Sequence, residues 1–174
     1  MAARLLESIV RLLNELKERG LIGPYAIGGA WAIIHYTEPF ETDDIDVLAH
    51  LSPALNPLDA VYQYLVSRGG RVLGETVEIE GVPVQFLPVS GPLDEEAVAE
   101  AVELRIGKEI TRILTAEHAV AIALQVGRSK DEQKIQRLLE TPKKAIDMER
   151  LFLILRHHNL VDKWLRFQER NRGE

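Results

Sequence analysis

Acidic residues stand at the start of TDDIDVLAH (residues 42–50), a segment that otherwise has the composition of a buried strand. Its apolar residues predict a β-strand over 44–51. Asp44 and Asp46 are two residues apart, so a strand points both side chains to one side, whereas Asp43 points away and is predicted to be a turn or capping residue. Because two carboxylates on one face repel each other, the pair predicts that a cation lies between them.

The overall composition is typical of a soluble globular protein with a core of its own. The chain has 174 residues, of which 46% are hydrophobic and 28% charged. This length fits one domain, alone or with a small helical appendage. There are no cysteines, which excludes disulfides, cysteine–zinc sites and thiol catalysis. The formal net charge of −6 argues against indiscriminate binding to nucleic acid, although a local basic groove is compatible with it.

The N-terminal segment does not have the pattern of a signal peptide. In MAARLLESIVRLLNELKERG (1–20), apolar residues recur along one helical face, and charged residues interrupt them. No apolar run approaches the roughly 20 residues that a membrane span needs. We therefore expect no membrane partner and a cytoplasmic location, with which the absence of cysteine agrees.

Hydrophobic periodicity and turn residues predict an α/β (α+β) chain. The predicted order is helix, strand, helix, strand, helix, hairpin, helix, hairpin and then further helices. The first hairpin covers 71–89 with its turn at Glu80-Gly81, and the second covers 102–114 with its turn near Gly107. Because hairpins exclude a purely parallel sheet, we expect a mixed β-sheet flanked by helices.

The C-terminal region is predicted to be helical. Pro142 separates a helix that begins at Ser129 from a helical tail over 145–170. We therefore expect a mixed-sheet domain over 1–140 and a helical C-terminal extension over 141–174 that packs on it.

Two glycines, Gly28 and Gly29, separate a predicted strand from the short helix predicted over 30–36. Glycine lets the backbone approach a ligand closely. The helix that follows presents free N–H groups and a partial positive charge, and both features suit a phosphate. The alternative interpretation is an ordinary Gly-Gly turn before a helix.

The aspartate pair has the chemistry of a magnesium site. Asp44 and Asp46 offer hard oxygen ligands, and Mg²⁺ is commonly held by one or two carboxylates together with substrate phosphates. Nucleotidyl transfer by two metal ions needs such an arrangement. The alternative is a solvated strand edge that carries charges to prevent aggregation. An EF-hand is excluded because the sixth and twelfth positions from Asp44 are Ala49 and Leu55. A glycosyltransferase with an Asp-x-Asp motif is harder to exclude.

The segment GGAWAIIHYTEPFETDDIDVL (28–48) resembles the signature of the DNA polymerase β-like nucleotidyltransferase superfamily. The resemblance is closest to small bacterial nucleotidyltransferase-like proteins of the toxin–antitoxin and abortive-infection type, and RSKDEQKI (128–135) also resembles a stretch of those proteins. It implies the nucleotidyltransferase fold, with Mg²⁺ or Mn²⁺ as cofactor and a nucleoside triphosphate as donor. It also implies that Gly28 and Gly29 contact phosphate and that Asp44 and Asp46 ligate the metal.

Two positions depart from the pattern of that superfamily. Phe40 stands where members often have a basic residue, and Gln85 stands where active members have a third carboxylate. An amide cannot act as a general base, and its loss is typically worth about 10²–10⁴ in rate. A two-residue turn at Glu80-Gly81 would place Glu78 on the same sheet face as Gln85. We therefore predict Glu78 as the third catalytic acid; the alternative is a solvent-facing strand residue.

Three further features have both a structural and a functional interpretation. Ser129 and Glu132 predict a capping box, and Lys130, which is unfavourable in a first helical turn, is predicted to contact phosphate. The alternative for Lys130 is an ordinary surface residue. His157-His158 is interpreted as a helix-end feature without partner acids rather than as a metal site.

The sequence therefore predicts a metal-dependent nucleotidyltransferase that moves a nucleoside monophosphate from an NTP to an acceptor. The acceptor can be RNA, protein or a small molecule. The alternative is a degenerate member of the superfamily that binds a nucleotide or a partner and belongs to a toxin–antitoxin pair. A protein partner or a homo-oligomer is compatible with either interpretation.

Overall fold

The computed structural model describes residues 2–36, 44–141 and 146–172. The predictions made for Phe40 and Asp43 fall outside these ranges. Seven strands and eight helices are assigned within the described part of the chain. The strands are β1 (Ile22–Ile27), β2 (Ile45–Leu51), β3 (Arg71–Leu73), β4 (Thr76–Ile79), β5 (Val82–Pro88), β6 (Val102–Ile106) and β7 (Glu109–Ile113). The helices are α1 (Ala2–Glu18), α2 (Gly29–Tyr36), α3 (Pro57–Ser67), α4 (Pro92–Ala99), α5 (Ala116–Val126), α6 (Ser129–Glu140), α7 (Met148–His157) and α8 (Val161–Asn171).

All seven strands belong to one mixed sheet, in the order β3-β4-β5-β2-β1-β7-β6. β2 pairs in parallel with β5, and β1 pairs in parallel with β7. The other neighbouring pairs are antiparallel. This arrangement confirms the predicted α/β chain with a mixed sheet, and it places β2, the strand that carries Asp46, at the centre of the sheet.

The first predicted hairpin contains one strand more than expected. Residues 71–89 form three antiparallel strands, because a further turn at Gly74, with φ of +60°, separates β3 from β4. The turn at Glu80-Gly81 and its register are confirmed, since Ile79 pairs with Val82 and Glu78 pairs with Pro83. The second hairpin, β6–β7, also turns at Gly107 as predicted.

The two faces of the sheet are covered to different extents. Ile45 and Val47 of β2 are buried among residues of α1 and α3 on one face. On the other face, Leu48 packs against α4 and α5. The side chains of β4 and β5 that point to this second face, Glu78 and Gln85 among them, are only partly buried. On this face, β2 therefore lies next to an open region of the sheet that is formed by β4 and β5.

The C-terminal region, predicted as a helical tail over 145–170, forms two helices. α7 and α8 are separated by a turn in which Asn159 adopts a left-handed conformation, with φ of +56°. Their apolar faces join α5 and α6 in one buried cluster. Its large side chains include Val120, Leu124, Ile135, Leu151, Leu155, Trp164 and Phe167.

Within the described ranges, no helix combines the length and the hydrophobicity that a membrane span requires.

Truncation of Leu151 tests whether the proposed extension, 141–174, folds together with the proposed domain, 1–140. Leu151 is fully buried, whereas Leu153 on the same helix is 62% exposed. We expect Leu151→Ala to lower the free energy of unfolding by about 2–5 kcal/mol, because it leaves a cavity between α7 and α5. We expect Leu153→Ala to change it by less than about 0.5 kcal/mol. Urea unfolding should show one transition that moves for Leu151→Ala; a separate transition for the C-terminal helices would contradict a single cooperative unit.

Candidate nucleotide and metal site

The Gly-Gly turn and the aspartate strand meet directly in the folded chain. The backbone N–H of Gly28 donates a hydrogen bond of 2.9 Å to the backbone carbonyl of Asp46. Gly29, the first residue of α2, has a φ of +55°. A Cβ atom on Gly29 would lie 2.1 Å from Oδ2 of Asp46. Glycine is therefore required at this position both for its backbone conformation and for the room that the Asp46 carboxylate occupies.

Asp46 owes its orientation to the alternation of side chains along β2. Its neighbours Ile45 and Val47 are buried in the core against α1 and α3. The pleat therefore directs Asp46 to the opposite face, toward the start of α2. Asp44 directly precedes the strand and is half-buried.

The electrostatic environment of Asp46 favours a cation. Burial raises the pKa of the Asp46 carboxyl above its ordinary value, and the nearby charge of Asp44 raises it further. Lys134, Arg128 and Lys130 oppose this increase in the pKa. The ionised pair is therefore costly in the metal-free protein, and a divalent ion would offset the cost.

The cations of the site lie at the start of α6, where the predicted cap was wrong. Arg128, not Ser129, is the N-cap residue, and the carboxylate of Asp131 accepts hydrogen bonds from the backbone N–H of Arg128 at 3.3 Å and from its Nε at 2.8 Å. Asp131 is 3% exposed and also contacts Nζ of Lys134 at 3.5 Å. Glu132, the expected capping acid, pairs instead with Arg170 of α8.

Sequence analysis found only one of the three cations beside Asp46. Lys130 is exposed, and its charge acts to lower the pKa of Asp46. Arg128 and Lys134 were missed. The spacing of Lys130 and Lys134, four residues apart on one flank of α6, is a signal that could have indicated the second lysine.

Gln85 occupies the position expected for the third carboxylate. It pairs directly with Asp46 across the parallel ladder of β2 and β5. Glu78 lies on β4, one strand further from Asp46, and its side chain points to the same face as Gln85. Oε1 of Glu78 accepts a hydrogen bond of 2.9 Å from Arg71 of β3. The catalytic role of Glu78 stays a prediction.

A cavity of about 70 Å³ lies beside the carboxylate of Asp46. Its polar lining comes from Asp46, Arg128, Asp131 and Lys134, and Gly29 lies at its edge. Pockets for drug-sized ligands are commonly about 300–1,000 Å³. The cavity therefore has room for a phosphate group but not for a whole nucleotide, which would have to extend over the open part of the sheet.

The site was then compared with known proteins. No protein-family model matches the sequence, and no curated protein matches it. Among solved structures, the chain is similar to a crystal structure of ANT(2'')-Ia in complex with adenylyl-2''-tobramycin. The two chains are 20% identical, the match covers 92% of this chain and 97% of that one, and the TM-score is 0.56.

Two further structures show the same likeness. A solution structure of the antibiotic-resistance factor ANT(2'')-Ia is 17% identical, with 97% of this chain and 99% of that chain covered and a TM-score of 0.54. An antigenic nucleotidyltransferase-like protein from Paracoccidioides brasiliensis is 13% identical, with 92% of each chain covered and a TM-score of 0.53. The chain therefore has the nucleotidyltransferase fold, which confirms the predicted fold.

Substitution of Gly29 tests the contact with Asp46. Gly74 has a nearly identical φ of +60°, but a Cβ atom there would meet nothing within 4 Å. We expect Gly74→Ala to lower the free energy of unfolding by about 1–2 kcal/mol, the cost of a left-handed alanine. Gly29→Ala should cost clearly more, because it also displaces the Asp46 carboxylate. If chemical denaturation shows equal losses of unfolding free energy for the two variants, the contact between Gly29 and Asp46 does not contribute to stability.

The raised pKa of Asp46 predicts how stability depends on pH. A raised pKa in the folded state means that the native protein holds this proton more tightly than the unfolded chain does. The stability of the metal-free protein should therefore fall as pH rises from about 3.9, the ordinary pKa of aspartate, through the raised pKa. Asp46→Asn removes this loss of stability with rising pH. The variant should therefore be more stable than the parent at neutral pH, and this difference should disappear below about pH 3.9.

Urea unfolding of both proteins in a chelator, at several pH values, measures this difference. Asp59→Asn is a matched control, since Asp59 lies exposed in the first turn of α3. If the difference in unfolding free energy between Asp46→Asn and the parent does not change with pH, ionisation of Asp46 does not destabilise the folded protein.

Proposed function

We propose that the protein is a metal-dependent nucleotidyltransferase that moves a nucleoside monophosphate from an NTP to an acceptor. The observation that supports this most strongly is the contact between Asp46 and Gly29. It joins an acidic pair to a glycine turn at a helix start, with three cations nearby. This contact thus joins two motifs that are separated in the sequence: the aspartates that would ligate the metal and the glycine turn that would bind phosphate.

Asp44 and Asp46 would hold the metal. The donor set fits Mg²⁺ or Mn²⁺, because both side chains offer carboxylate oxygens and the raised pKa of Asp46 reflects the burial of its charge beside Asp44. No third acidic or histidine side chain completes a three-ligand cluster with them among the described residues. Waters and substrate phosphates would complete the coordination of Mg²⁺. When bound, the ion would stabilise the negative charge that develops on the phosphates.

The glycine turn and the α6 cations would hold the triphosphate. Gly28 and Gly29 would contact phosphate through the backbone at the start of α2, where N–H groups and the helix dipole favour negative charge. Lys130 would steady the triphosphate from α6, together with Lys134. In the reaction, an acceptor oxygen forms a bond to the α-phosphorus. The bond between that phosphorus and the bridging oxygen breaks, and pyrophosphate leaves.

The proton of the acceptor hydroxyl needs a base, and we propose Glu78. Gln85, beside Asp46, is an amide and cannot accept this proton. Glu78 shares the open sheet face with Gln85 and is one strand further away. Its carboxylate is held by Arg71 at 2.9 Å, so an acceptor would have to bind over β4 and β5 to reach it.

The acceptor is proposed to carry a hydroxyl group on RNA, on protein or on a small molecule. The structure of ANT(2'')-Ia that resembles this chain contains adenylyl-2''-tobramycin, so an aminoglycoside is a concrete small-molecule acceptor to test.

The second candidate function is a binding module without catalysis. Gln85 favours it, because an amide stands directly beside Asp46 where active members of the superfamily have a carboxylate. In that case the protein would bind a nucleotide or a partner protein, as one half of a toxin–antitoxin pair. The glycine turn and the aspartate pair would then serve binding alone.

Incubation with α-labelled NTPs, Mg²⁺ and the three classes of acceptor tests the proposal. We expect label to be transferred and pyrophosphate to be released by the parent protein. Asp46→Asn should abolish transfer, because it removes a metal ligand. Glu78→Gln should lower the rate by about 10²–10⁴, the usual contribution of a general base. Asp59→Asn, which removes an exposed carboxylate on α3, should leave the rate unchanged.

Each departure from these expected results would identify a different part of the proposal as wrong. Retention of NTP that requires Mg²⁺, without transfer to any acceptor, would favour the binding module. Transfer by Glu78→Gln at the parental rate would exclude Glu78 as the base. Transfer by Asp46→Asn at the parental rate would contradict the proposed site altogether.

A further inference from the structure

A second group of potential metal ligands surrounds Glu96 of α4. Among the described residues, Glu96, His157 and His158 each offer a ligand atom, and all three atoms lie within 4.8 Å of one another. The cluster joins α4 to the end of α7. The sequence interpretation of His157-His158 as lacking a partner acid is wrong, because Glu96 is 62 residues away in the chain but in direct contact.

The carboxylate of Glu96 lies between two imidazoles. Its Oε2 is 3.0 Å from Nε2 of His158, and its Oε1 is 3.0 Å from Nε2 of His118. His118 is completely buried, and the side chain of His158 is only 6% exposed. Hydrogen bonds to both oxygens therefore fix the orientation of Glu96.

The third side chain, His157, completes the geometry from the solvent side. The rings of His157 and His158 are 4.8 Å apart and almost perpendicular, with an angle of 85° between their planes. His157 is exposed. Tetrahedral Zn²⁺ binds histidine nitrogen at about 2.0–2.1 Å and carboxylate oxygen at about 2.0–2.2 Å. Ligand atoms in such a site lie roughly 3.3 Å apart, so the pair of Glu96 and His158 is already spaced for it.

The surroundings already contain an outer shell of the kind that metal sites use. Carboxylates that bind metals are usually hydrogen-bonded through their other oxygen. Here His118 supplies that bond to Glu96, and Nδ1 of His118 is in turn 2.8 Å from Oγ1 of Thr115. Glu100, the C-cap residue of α4, pairs with Arg150 of α7. The charge of Arg150 is thus compensated beside the cluster.

We propose that Glu96, His157 and His158 form a binding site for Zn²⁺ that links α4 to the C-terminal helices. Two imidazoles and one carboxylate suit Zn²⁺ and not Mg²⁺, which prefers oxygen ligands only. The ion binds both Nε2 of His158 and Oε2 of Glu96; the proton on Nε2 leaves to solvent and Nδ1 carries a proton, so that the imidazole stays neutral. Three protein ligands leave a fourth position for water. This site is separate from Asp44 and Asp46 and does not depend on the proposed reaction.

Calorimetric titration of the untagged protein with ZnCl₂ and with MgCl₂ tests the site. We expect one Zn²⁺ per chain and no Mg²⁺ at this site. His157→Ala should weaken Zn²⁺ binding by at least tenfold, the lower end of the loss typical even for outer-shell partners of a metal. His157 is exposed, so this variant should fold like the parent. Thermal unfolding with added Zn²⁺ should show a rise in Tm that His157→Ala largely removes.

His50→Ala is a matched control. His50 lies 3.2 Å from Glu95, the neighbour of Glu96 on α4, but belongs to no cluster of three ligands among the described residues. Its removal should leave Zn²⁺ binding unchanged. Equal Zn²⁺ affinity for the parent and His157→Ala, a stronger effect of His50→Ala, or no bound Zn²⁺ would each overturn the proposal. Asp46→Asn should bind Zn²⁺ at this site as the parent does.

Discussion

The approach of one carboxylate to one glycine organises the centre of this structure. Asp46 lies so close to Gly29 that no other residue fits there, and the backbone of Gly28 is bonded to the same strand. The contact places a negative charge at the start of α2, close to a second carboxylate on Asp44. Burial and repulsion raise the pKa of Asp46. The fold therefore maintains a local electrostatic cost at Asp46 that a bound cation would offset.

Much of the fold could be predicted from local patterns. Alternating apolar residues and the Glu80-Gly81 turn predicted the β4–β5 register, which then placed Glu78 and Gln85 on one face. Gly28-Gly29 predicted the start of a helix, and the Asp-x-Asp motif at Asp44 and Asp46 predicted a strand. Local patterns predicted less where a short turn had to be recognised, as at Gly74 and Asn159, both of which have positive φ. Neither position is marked by a change in hydrophobic periodicity.

Contacts between distant segments were the part that sequence could not provide. Arg128 and Lys134 approach Asp46 only because α6 is packed across α5. The partner of His158 is Glu96, on a helix that precedes it by 62 residues. A side chain's spacing along its own helix indicates which flank it occupies, but not which element faces that flank. Residues at such junctions can therefore be identified only once the topology is known.

A crystal structure with Mg²⁺ and a non-hydrolysable triphosphate tests the account most directly. The account predicts a metal ion about 2.0–2.1 Å from oxygens of both Asp44 and Asp46, with the triphosphate beside Gly28 and Gly29. Ion and nucleotide bound away from the two carboxylates, or a nucleotide bound at the turn without any metal on Asp46, would contradict it.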